Sequence, residues 1–257
     1  MTRMPIWLLF LLLVVVVTAV AVGVQLLVRR RWPHLAQGDH NDVTGYGIAI
    51  VGVIYAVLLA FVVIVSWQQF SQAADLVGEE ASALRGLYRE TVAFPPDARG
   101  RIEADVELYA RAVITQEWPA MARGEPGDPA AAAALDRIAD HLAALPADTP
   151  VRQEYVGVEA DRFAELVSFR SQRLDYVGQG LPGVLWVALV FGGVVTIGFA
   201  MVFGLRSTTL HLLMTGSLAA VIGVLLFVCV AIDQPFVGDV AVSPVPMARF
   251  LSDFGAR

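Results

Sequence analysis

Four stretches of the chain, residues 6–28, 46–67, 183–205 and 208–232, contain no Asp, Glu, Lys or Arg. About 20 apolar residues in a helix suffice to cross a hydrocarbon core of roughly 30 Å. The pattern therefore predicts four transmembrane helices, arranged two and two around a polar middle. In that middle, Phe70, Ala74, Val77, Ala81, Leu84 and Tyr88 recur at spacings of four and three, with Glu79, Glu80, Arg85, Arg89 and Glu90 between them. This is the period of an amphipathic helix. No breaker separates it from the second apolar stretch, so one helix of nearly 47 residues is expected over 46–92, about 70 Å long. Pro95-Pro96 ends it.

Three more soluble helices follow from the same pattern. The first, over 97–121, carries Ile102, Val106, Tyr109 and Val113 on one face, with Pro119 bending or ending it. The Gly- and Pro-rich loop 124–129 leads to an Ala-rich helix over 130–145. The last, over 151–177, is apolar on two sides: Val156, Ala160, Phe163, Val167, Leu174 and Val177 on one, Leu166, Phe169 and Tyr176 on the other. Such a helix packs against two neighbours. No run alternates with period two. The expected fold class is an all-α integral membrane protein, four transmembrane helices flanking an antiparallel helical bundle. The expected division is 1–67 as the first transmembrane pair, 68–180 as the bundle, and 181–257 as the second pair with a polar tail whose Pro- and Gly-punctuated start reads as an ordered turn.

Two local features add detail. Asn41, Asp42 and Thr44 stand where side chains cap a helix start. Gly52, Ala56 and Ala60 recur at four, a small-residue stripe that lets another helix approach closely in lipid.

Composition sharpens this picture. The chain is 57% hydrophobic, against roughly 45–50% in ordinary globular chains, and the excess lies in the four stretches. Residues 68–180 carry 19 Asp and Glu against 11 Arg, a net −8. That excludes a basic surface for nucleic acid. The one cysteine, Cys229, allows no internal disulfide and no Cys-based zinc site. Ala19-Val20-Ala21 has the form of a signal-cleavage site, but the apolar run continues to Val28 and stops at Arg29-Arg30-Arg31, so an uncleaved span is expected. Arg29, Arg30, Arg31 and Arg206 in the short loops oppose Arg3, Arg85, Arg170, Arg173 and Arg249 on the other side. That near-balance does not fix orientation, although weighting the short loops would put the triple Arg inside and the bundle outside.

No catalytic, cofactor-binding or metal-binding constellation stands out, and an enzyme is not expected. His34, His40 and Asp42 lack a fixed ligand spacing and read as a polar interfacial loop. His141 reads as a solvated surface residue. Glu79 and Glu80 with Arg85 and Arg89, and Arg170 with Arg173, read as ion pairs between bundle helices on solvated faces, with an aqueous vestibule as the alternative. Proton relays and ion-coupled carriers keep ionisable groups at membrane depth. Here only His211 lies within a span, so such carriers are disfavoured, whereas a pore with an apolar constriction is compatible.

The string Asn41-Asp42-Val43-Thr44-Gly45, Trp67, Glu80-Ala81, Leu87-Tyr88-Arg89, Glu117-Trp118-Pro119, Asp233-Gln234-Pro235-Phe236-Val237-Gly238 and Ser243-Pro244 resembles the bacterial bestrophin-like membrane family. Asn41, Gly45, Trp67, Glu80, Arg89, Glu117, Trp118, Asp233, Pro235 and Phe236 are the candidate family-motif residues. The resemblance extends distantly to bestrophins, pentameric anion channels with cytosolic helical domains. It implies a homo-oligomer (a pentamer by analogy) in the bacterial inner membrane, conducting chloride or another anion, with its bundle on the cytoplasmic side. The Gly-Gly-x-x-Ile-Pro neck signature and an acidic calcium clasp are absent, so calcium gating is not implied. The second helix would line the pore, with Tyr55, Leu59 and Val62 on one face as candidate pore or packing residues and Phe61 off that face. The alternative is a non-conducting scaffold or sensor whose bundle binds a partner protein. Besides the lipid bilayer and its own copies, no cofactor and no nucleic acid is expected as a partner.

Overall fold

The four uncharged stretches are helices in the structure, a computed structural model that describes residues 5–255. In lipid every backbone N–H and C=O needs an internal partner, and a helix supplies all of them. In chain order the helices are α1 (Ile6–Arg31), α2 (Asn41–Glu90), α3 (Pro96–Ala112), α4 (Trp118–Met121), α5 (Pro129–Ala143), α6 (Pro150–Asp175), α7 (Gly183–Val202), α8 (Thr208–Ile232) and α9 (Val245–Phe254). No strand occurs among the described residues. The protein is an all-α integral membrane protein with four membrane-spanning helices.

Local chemistry sets the ends. Pro96, Pro129 and Pro150 stand at helix starts, where their missing N–H costs nothing. Asp128, Thr149 and Ser207 cap α5, α6 and α8 with side-chain oxygens. α2 is unbroken for 50 residues, about 75 Å, and a 3₁₀ turn, Thr91–Ala93, closes it. α3 and α4 are joined by a π-helical turn, Val113–Glu117. Pro119 lies just beyond and has no N–H to donate back to Thr115, so the regular ladder cannot run through.

Two compact units result. The first comprises the chain through Gln68 together with Gly180–Asp233. In it α1 lies antiparallel along α8, which presents Gly216 to Val22 and Gly223 to Val14, and Phe10 meets Phe227 edge to face at 5.1 Å. α2 packs on α7 and α8 through Tyr55, Leu59 and Val62. Their partners are Leu189, Ile222 and Cys229.

The second unit comprises Gln69–Gln179 and the chain from Gln234 onward. Its core gathers Leu84 and Leu87 of α2, Ile102, Val106 and Tyr109 of α3, Ile138 of α5, Leu166 of α6, and Met247 and Phe250 of α9. The C-terminal tail thus belongs with the soluble helices, not with the second transmembrane pair. The sequence pattern predicts only a polar tail over the residues of α9. α9 is an amphipathic helix that buries Met247, Phe250 and Phe254 against the core, with the Phe254 ring tilted against Tyr88, centroids 4.8 Å apart.

Candidate functional site

The two faces of α2 within the membrane unit have opposite fates. Tyr55, Leu59, Val62 and Ser66 are buried in the subunit. The ring of Tyr55 lies over Gly192 and Gly193, so close that a Cβ on Gly192 would sit 2.5 Å from it. The three candidate pore or packing residues are therefore packing residues in this subunit. The uncovered face lies opposite. Tyr46, Ile50, Val57 and Ile64 recur along it at spacings of four and seven, flanked by Ile54 and Phe61, and each is more than half exposed. Phe61 thus lies on the outward side. The small residues Ala56 and Ala60 are also exposed, and nothing comes within 4 Å of a Cβ placed on Gly52. Within the subunit α2 is closely approached at Gly47, where a Cβ would lie 2.5 Å from the Phe199 ring.

The short loops between spans are tied by named groups. Asn41 does not cap its helix. Its Oδ1 accepts from Gly204 N at 2.7 Å, and its Nδ2 donates to Gly204 O at 2.8 Å. Gly204 rests on backbone: a Cβ there would lie 2.5 Å from both Gly38 Cα and Leu35 O. His40 Nε2 donates to Val202 O at 2.7 Å. Arg29 bonds Leu205 O at 2.8 Å and His211 Nδ1 at 2.9 Å, which leaves the Nε2 of His211 to donate to Ala200 O at 3.0 Å. A Cβ on Gly45 would make only an ordinary contact with Phe203, and Trp67 is exposed. Among the described residues no three His, Cys, Asp or Glu side chains converge as metal ligands.

The helical unit holds a buried charged clasp. Arg173 of α6, Glu80 of α2 and Glu117 of the π turn are fully buried. Arg173 donates to Glu80 through Nε at 2.5 Å and Nη2 at 3.0 Å, and to Glu117 through Nη2 at 2.6 Å. Its guanidinium also lies 5.3 Å from the centre of the Trp118 ring. Tyr109 donates to Glu80 at 2.6 Å, while Arg170 and the Asp128 N–H donate to Glu117 at 2.5 and 3.1 Å. Burial alone would raise the Glu117 carboxyl, but Arg173 and Arg170 outweigh it and hold it below the ordinary range. Burial would likewise lower Arg173, yet Glu80 above all holds it above its ordinary value. Burial and then the charge of Glu80 push the Tyr109 hydroxyl well up.

The clasp joins bundle helices by ion pairs, as expected, but it is buried rather than solvated, and Glu80 pairs with Arg173 rather than with Arg85 or Arg89. Glu80 falls on the apolar seam of α2, three residues after Val77 and four before Leu84, so its partner had to come from another buried helix. That spacing was a usable signal. The other motif residues are structural in the same unit or at the turns. Arg89 lies over Phe254 at 5.4 Å, Phe236 meets Trp118 at 5.6 Å, and Pro235 O accepts from Val242 N. Asp233 accepts the Leu181 N–H at 2.7 Å where the chain returns to the membrane. His141, expected in solvent, bonds Asp105 at 2.6 Å.

Comparison with known proteins adds three findings. A family profile described as the Bestrophin-like domain matches residues 15–247. Among solved structures, a bacterial bestrophin homologue from Klebsiella pneumoniae, phased on zinc, has a TM-score of 0.70 at 15% identity, covering 97% of this chain and 99% of its own. A mutant of the Klebsiella homologue scores 0.68 at 18% identity, again covering 97% and 99%. At such identities the likeness establishes the fold. No curated protein matches the sequence.

Proposed function

We propose that this chain, which belongs to the bestrophin-like domain family, is an oligomeric ion-conducting protein of the bacterial inner membrane in which α2 lines the conduction path. One observation carries the reading. α2 buries one face in its own subunit and leaves the opposite face, with Ile50, Val57, Phe61 and Ile64, uncovered and uncharged. The small flank of Gly52, Ala56 and Ala60 suits close approach by a neighbouring copy. An apolar constriction of this kind gates by wetting and dewetting and needs no ionisable residue at membrane depth. Tyr55, Leu59 and Val62, candidates for pore or packing, pack within the subunit, and the outward face supplies the proposed lining. A pentamer, chloride as the permeant ion and a cytoplasmic helical unit follow from the family resemblance.

A second reading of the permeant ion rests on charge. Residues 68–180 carry a net −8, and an acidic surface concentrates cations. Reconstitution decides. Purified oligomer in liposomes is expected to dissipate a chloride gradient, and Phe61→Ala to change the rate more than Leu59→Ala. Selective loss of a sodium gradient would reassign the permeant ion to cations. Silent liposomes from a well-folded oligomer would leave the non-conducting scaffold.

A further inference from the structure

α6 buries three side chains at intervals of seven: Glu159, Leu166 and Arg173. Arg173 has its carboxylates. Glu159 is fully buried, and neither of its carboxylate oxygens has a hydrogen-bond partner. The charge that acts on it is Glu90, the last residue of α2, whose Oε2 is also buried without a partner. Arg162, on α6 itself, is shared between Glu90 Oε1 at 3.5 Å and Glu165 at 2.9 Å. The turn Thr91–Ala93, which packs on α6, brings no titratable side chain, and Glu103 behind it is held by Arg99 at 2.7 Å. From α5, Ala139, Leu142 and Ala143 share a groove with Val156, Ala160 and Phe163, while Arg137 and His141 are bound to Asp105. Asp136 and Asp140 are exposed. Among the described residues no neighbouring cation neutralises Glu159 directly.

We propose that Glu159 and Glu90 form a proton-dependent latch between α6 and the soluble end of α2, closed while Glu159 holds a proton and strained when it loses it. A buried carboxylate without hydrogen bonds is disfavoured, and a second carboxylate adds repulsion. Together they push Glu159 up to about 8, burial contributing most. In the unfolded chain the group titrates near its ordinary 4.5. Between those values the folded chain keeps a proton that the unfolded chain has lost. The contribution of Glu159 to stability therefore falls as pH rises through that window and is flat above it. The latch is closed at neutral pH and opens on alkalinisation, on the helix that the proposed function assigns to the conduction path.

The test uses the full chain in detergent and does not depend on conduction. Infrared pH-difference spectra of the wild type should show a protonated-carboxyl band at pH 7 that vanishes by about pH 9 and is missing in Glu159→Gln. The wild-type folding constant, relative to Glu159→Gln, should fall about tenfold per pH unit between pH 5 and 8. Glu90→Gln should move the midpoint of the band to lower pH and serves alone if Glu159→Gln does not fold. Absence of the band at pH 7, parallel stability profiles, or an unmoved midpoint in Glu90→Gln would each overturn the proposal.

Discussion

Replacing Arg173 by Met removes the cation that satisfies two buried carboxylates at once. The guanidinium makes three hydrogen bonds to Glu80 and Glu117, of 2.5, 3.0 and 2.6 Å. Tyr109 still donates to Glu80, and Arg170 still serves Glu117. The loss is therefore that of one partner of a buried ion pair, about 3–5 kcal/mol. In a unit of this size it lowers Tm by roughly 10–20 °C. The sign with pH follows from the same geometry. Native Glu117 is held below its ordinary range, so its contribution is present above that range and is lost as pH falls through its folded value. In the variant Glu117 loses the larger of the two charges that hold its carboxyl down, so the penalty is largest at neutral pH and shrinks as pH falls. Thermal unfolding followed by circular dichroism in detergent measures both effects. Combining Arg173→Met with Glu80→Gln and Glu117→Gln should recover much of the loss, because a buried clasp is worth little against a neutral replacement. A shift below about 3 °C with no pH dependence would refute the buried clasp.

The loop ties give two further expectations. Gly204→Ala forces a Cβ against the backbone of Leu35 and Gly38 and should cost about 1–3 kcal/mol, read as faster labelling of the sole thiol, Cys229, which is otherwise buried. Asn41→Ala strips both hydrogen bonds from Gly204 and should cost about 1–2 kcal/mol in the same assay, whereas Asn41→Asp should keep the bond from Gly204 N and lose the one to its carbonyl.

Spans were legible in the sequence because a run without charge has one stable form in lipid, and the long α2 was legible because nothing breaks its period. Which face of α2 points inward was not. A transmembrane helix is apolar on both sides, so no polar stripe distinguishes Tyr55, Leu59 and Val62 from Val57, Phe61 and Ile64. Gly192 and Gly193, which receive Tyr55, lie more than a hundred residues away. The partnership of Glu80, Arg173 and Glu117 was equally non-local, though the position of Glu80 on an apolar seam marked it as buried. α9 carried a readable sign in the spacing of Met247, Phe250 and Phe254, masked by the Pro-rich turn before it.

Cysteine scanning of α2 on a Cys229→Ser background, with water-soluble thiol reagents applied to the reconstituted oligomer during current recording, puts the conduction path to direct trial. Modification at positions 57, 61 and 64 is expected to reduce or block current, and positions 55, 59 and 62 to stay inert. Block at the buried set with silence at the outward set, or a well-folded oligomer that passes no current, would contradict an α2-lined path.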